Sequence, residues 1–70
     1  MNLVGPQVRK IRELQKLTQE ALVTRCHILK WNISRSTLAK IESQVRRVTD
    51  EEVARLAQVL EVGISELYQR

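Results

Sequence analysis

Thr18-Gln19-Glu20-Ala21-Leu22-Val23 and, ten residues further on, Ser34-Arg35-Ser36-Thr37-Leu38-Ala39-Lys40-Ile41-Glu42 decide how this chain is read. Each stretch opens on a hydroxyl residue suited to cap a helix, because its oxygen accepts one of the orphan backbone N–H groups of the first turn. Between Thr18 and Glu42 the pattern is therefore two helices joined by a turn. In the first, Leu22, Cys26 and Leu29 recur at i, i+4 and i+7 and form one apolar stripe. In the second, Leu38 and Ile41, with Val45 beyond, face inward and leave Arg35, Ser36, Ala39 and Lys40 on the opposite side. A helix with a small, basic outer face fits the major groove of a nucleic-acid duplex.

Outward from this unit, the rest also reads as helix. Pro6 suits a first helical position, where its missing N–H is no loss. Val8, Ile11 and Leu14 follow at helical spacing, and the helix runs out near Lys16-Leu17. Thr49-Asp50-Glu51-Glu52 is a capping box. Val53, Leu56, Ala57 and Leu60 give a fourth helix a strong inward face. Gly63 is the expected end of that helix, and Ile64 to Tyr68 allows a short fifth. Asn32 is expected to end the second helix in a left-handed conformation, and Ile33 to plug the corner. The fold class is all-α, a compact bundle of four to five helices, with residues 1–70 as one domain.

Composition agrees. In 70 residues, 43% are hydrophobic and 29% charged, a globular balance, but Phe is absent and Trp31 and Tyr68 are the sole large aromatics. The core must be aliphatic. A chain this short buries only about 60% of its unfolded surface. Charge is segregated: residues 1–49 hold ten Lys or Arg against three acids, and residues 50–70 hold two against five. A polyanion is attracted to the first two thirds and repelled by the last third. One cysteine cannot form an internal disulfide, no apolar run reaches a membrane span, and no signal peptide is visible, so a cytoplasmic protein is expected. Met1 argues against a missing segment at that end.

Chemistry is not expected. Cys26 and His27 are adjacent on a helix and point about 100° apart, so they cannot readily grip one ion, and there is no second Cys or His. No metal and no cofactor are expected. Ser34, His27 and Asp50 do not make a triad, for no nucleophile elbow or oxyanion loop accompanies them.

Thr18-Gln19-Glu20-Ala21-Leu22, Ile33 to Glu42, and Leu56-Ala57 with Leu60-Glu61-Val62-Gly63-Ile64-Ser65-Glu66-Leu67 together resemble the phage-repressor helix-turn-helix family (Cro/lambda-repressor-like, XRE-like). The resemblance covers nearly the whole chain. It implies a five-helix, lambda-repressor-like DNA-binding domain whose third helix lies in the major groove while the second crosses the backbone. It implies base contacts from Arg35, Ser36 and Lys40. It implies phosphate contacts from Gln19, Ser43, Gln44, Arg46 and Arg47, and a structural ion pair between Arg12 and Glu42. The partner is double-stranded DNA, bound as a homodimer, with Val62, Ile64, Leu67 and Tyr68 as candidates for the dimer surface. The function implied is a sequence-specific transcriptional regulator of repressor type. The alternative is a protein-interaction module, an antitoxin or assembly factor, on the same fold.

Two features depart from the family pattern. His27-Ile28-Leu29-Lys30-Trp31 intervene where most members turn directly after the position of Cys26. As a rigid extension they add about 7.5 Å and about 500° of rotation, which re-aims the third helix unless the turn is rebuilt. Trp31, with Ile28 and Leu29, either caps the core or forms an apolar patch for another protein. Second, Gln44 stands where a Gly often follows the third helix.

Overall fold

Capping residues set where the helices begin. In the computed structural model, which describes residues 2–69, α1 spans Gly5–Leu14, α2 Gln19–Ile28, α3 Arg35–Glu42, α4 Asp50–Leu60 and α5 Ile64–Leu67, with no strand among the described residues. Pro6 lies in the first turn of α1. Thr18 Oγ1 accepts from the Ala21 N–H, Ser34 Oγ from Thr37 and Thr49 Oγ1 from Glu52, each at 3.0–3.1 Å. The Glu52 carboxylate returns to the Thr49 N–H and completes the capping box.

All five helices meet on one aliphatic core. Val8, Leu22, Cys26, Leu38, Ile41, Leu56, Leu60 and Leu67 have no exposed surface, and Ile33 plugs the α2–α3 corner. The entry to α1 presses on the exit from α3. Gly5 has no Cβ, and one placed there would fall on the Ile41 carbonyl. The buried Asn2 closes the same corner. Its Nδ2 donates to the Ile41 and Arg46 carbonyls at 3.0 and 2.8 Å, and its Oδ1 accepts from the Gly5 N–H at 2.6 Å.

The ends of α1, near Lys16, and of α3, at Gln44, fall where expected, whereas those of α2 and α4 do not. All four long helices stop in the same way: the sixth residue's N–H returns to the first residue's carbonyl, around one left-handed residue. Those residues are Lys16, Lys30, Gln44 and Glu61, at φ of 57–68°, and no glycine takes part. Asn32 is not a terminator, and Gly63, at φ −76°, opens α5. The rigid extension of α2 does not occur. The helix gains His27 and Ile28 beyond Cys26, about 3 Å, then Lys30 turns left-handed and the Trp31 N–H returns to the Cys26 carbonyl at 2.9 Å.

Three expected core positions are exposed for related reasons. Leu29 and Val45 would sit on the inward stripes of α2 and α3, but each helix ends first. Leu14 is 73% exposed because the position seven beyond Val8 is Gln15, whose Nε2 donates to the Leu60 carbonyl at 2.7 Å. Trp31 is half-buried against the core, its ring 6.0 Å from the Arg55 guanidinium. Leu67 belongs to the core and is closed to a partner.

Candidate nucleic-acid interface

The periodicity of α3 divides it into two faces. Leu38, Ile41 and Glu42 are buried. Arg35, Ser36 and Lys40 are exposed and Ala39 half-buried, so a second molecule can approach the backbone closely on that side. Lys40 has no ion-pair partner among the described residues.

Behind α3, Arg12 and Glu42 form a fork. Arg12 Nε donates to Glu42 Oε2 at 2.7 Å and Nη2 to Oε1 at 3.1 Å, while Nη1 donates to the Leu17 carbonyl at 2.7 Å. The side chains are only 10% and 4% exposed. Removing one member strands a buried charge, a loss of about 3–5 kcal/mol. Gln19, the first residue of α2, extends this network outward: Nε2 donates to Glu42 Oε1 at 3.0 Å, and Oε1 accepts from Arg35 Nε at 3.4 Å. A shallow cleft follows these groups, lined by Arg9, Thr18, Gln19, Glu20, Arg35, Ala39 and Ser43.

The segment after α3 carries the remaining expected contacts. Ser43 is exposed and its Oγ donates to the Lys40 carbonyl. Gln44 turns back, its Nε2 donating to the Asn2 carbonyl at 2.8 Å. Arg46 is engaged end-on with Glu52, at 3.1 and 2.9 Å. These hydrogen bonds hold the Glu52 carboxyl below its ordinary range and push the Arg46 guanidinium up. Arg47 is exposed with no ion-pair partner among the described residues. Arg35, Ser36, Lys40, Ser43 and Arg47 thus present exposed side chains, whereas Gln19, Gln44 and Arg46 are committed within the fold.

Sequence reasoning missed three residues. Asn2 and Glu52 shape the segment after α3 from distant positions, and neither carries a local signal for it. Glu20 stands with its Oε1 3.7 Å from Arg35 Nη1. Cys26 and His27 do not converge. The Cys26 thiol is buried and pushed up to about 11 by desolvation, and His27 Nε2 lies 2.6 Å from the Ile33 carbonyl.

Two hydroxyl-capped helices packed across a corner, the second with an exposed basic face, make a helix-turn-helix unit. The helix-turn-helix family model matches residues 8–67, which takes in all five helices apart from the first turn of α1. The chain belongs to the XRE-type helix-turn-helix family, whose members are DNA-binding regulators. No curated protein and no solved structure gives a significant match. No helix among the described residues is long and apolar enough to cross a membrane.

Proposed function

We propose that this DNA-binding regulator is a sequence-specific repressor acting in the cytoplasm. Its α3 enters the major groove, with Arg35, Ser36 and Lys40 at base edges. Ser43, Arg47 and the backbone N–H groups at Gln19 meet phosphates. Gln44 and Arg46 shape the loop that presents Ser43 and Arg47. The observation that carries the reading is the outer face of α3, exposed and basic while Leu38 and Ile41 behind it are fully buried. Repression follows from occupancy, since a protein seated on its half-site competes with polymerase. A single domain of this size binds weakly, and a homodimer sets two recognition helices about 34 Å apart on one face of the duplex.

The test is binding to random and to selected DNA fragments over a range of salt. Affinity for random DNA should fall steeply as salt rises, because neutralised phosphates release counterions. The selected fragment should bind at least about 1,000-fold more tightly at the same salt.

Exposed Ile28 and Leu29, beside Val59 and Arg25, favour a second reading, a protein-interaction module. Absence of any DNA binding at low salt would select it.

A further inference from the structure

The guanidinium of Arg35 does not extend freely from α3. Its Nε donates to Gln19 Oε1 at 3.4 Å and its Nη1 stands 3.7 Å from Glu20 Oε1. The orientation of Gln19 has a cause deeper in the fold. Its Nε2 donates to Glu42 Oε1, and an ionised carboxylate only accepts, so the amide oxygen cannot occupy that position. The oxygen must turn outward, toward Arg35. The buried Arg12–Glu42 fork therefore sets the Nε side of the Arg35 guanidinium through Gln19, and Glu20 sets the Nη1 side. Nη2 has no partner among the described residues.

We infer that Glu20 is a positioning residue that determines specificity: it holds the Arg35 guanidinium so that the Nη2 end is presented to a guanine. The inference rests on the base-reading role proposed for Arg35. Ordering a long side chain on binding costs affinity, and a side chain already held loses less. The guanine pair itself takes two N–H groups in one plane. Nη2 and the second N–H of Nη1, which a single Glu20 oxygen leaves free, supply them, whereas a guanidinium swinging freely from α3 offers them in the right plane only part of the time. Both contacts to Arg35 are exposed and long, so the gain is modest, about two- to fivefold, the range of an exposed ion pair.

Glu20 has a second effect of opposite sign. Its side chain is 77% exposed and lines the same cleft as Arg35 and Thr18. A carboxylate there repels any phosphate backbone, whatever the sequence, and so lowers binding to all DNA alike. Removing it should weaken the preference for guanine and strengthen binding to random DNA at once. Damage to the fold would lower both.

The experiment compares the full chain with its Glu20→Ala, Glu20→Gln and Arg35→Ala variants. The probes are the fragment selected by the unaltered protein, its single-base substitutions, and random DNA at low salt. Both Glu20 variants should flatten the guanine preference about two- to fivefold at the position where Arg35→Ala abolishes it. Both should bind random DNA more tightly, with thermal midpoints unchanged. If they keep the full preference at the position where Arg35→Ala loses it, Glu20 does not position Arg35, and base reading by Arg35 stands. If Arg35→Ala itself keeps the preference, base reading by Arg35 falls and the inference falls with it.

Discussion

The chain enters α3 and leaves it through turns of one backbone design, yet the two are held by different means. Lys30 before α3 and Gln44 after it are both left-handed, each inside the same pair of returning hydrogen bonds. The entering turn is fastened locally, by His27 Nε2 at the Ile33 carbonyl six positions away and by Ile33 in the core. The leaving turn is fastened from a distance, by Asn2, which is 39 and 44 positions from the carbonyls it bonds, and by Gln44 reaching back to Asn2. Contacts of short sequence separation cost little loop-closure entropy and can form with α2 and α3 alone. The leaving turn has its own local bonds and gains further ones once the chain's first residues are docked. The exposed start of α3 is thus positioned by local structure, and the segment bearing Ser43 and Arg47 is braced by tertiary structure.

The largest expected effect comes from the distant fastening. Asn2→Ala strands the buried Gly5 N–H and the part-buried Arg46 carbonyl, while the Ile41 carbonyl keeps the Gln44 N–H, and should destabilise the protein by about 2–3 kcal/mol in urea unfolding. A loss within a few tenths of a kcal/mol of zero would erase the distinction between the two turns. Trp31→Ala, on the entering side, should cost about 1–2 kcal/mol, less than for a fully buried Trp because the ring is only half-buried. A variant that melts like the parent, but sediments as a smaller species, would instead assign Trp31 to a partner surface.

Glu52→Gln weakens the clamp on Arg46 and should cost about 1 kcal/mol at pH 7. The Glu52 carboxyl is held below its ordinary value of 4.5 in the folded protein. Its contribution is therefore complete above that ordinary value and is lost as pH falls through the folded one. Melts taken from pH 7 down to pH 3 should show the parent and the variant converging at the acid end.

The smallest effects distinguish the two left-handed residues. Lys30→Gly relieves an unfavourable conformation and should stabilise by about 0.5–1 kcal/mol after the added entropy of the unfolded chain is counted. Gln44→Gly relieves the same strain but removes the hydrogen bond to Asn2, so thermal melting should give a change near zero.

The helix starts were legible because Thr18, Ser34 and Thr49 carry their signal in their own side chains. The ends of α2 and α4 were not, because glycine or asparagine is the usual left-handed residue and this chain uses Lys30 and Glu61 there. That is why the stretch past Cys26 left a rigid extension and a rebuilt turn both open, and why Gly63 read as a stop. Of the interface, the charge segregation and the two faces of α3 were visible in spacing, and the Arg12–Glu42 pair came from resemblance. The commitment of Arg46 to Glu52, of Gln44 to Asn2 and of Gln19 to Glu42 was not visible. Those pairings exist only once separate helices meet, and no periodicity records them.

The central claim is that the outer side of α3 touches bases in the major groove. Methylation interference on the selected fragment tests it directly, because guanine N7 lies on the major-groove edge that an arginine reads. The account predicts that methylating at least one guanine in each half-site blocks the parent protein and no longer blocks Arg35→Ala. Binding indifferent to N7 methylation at every guanine would contradict it.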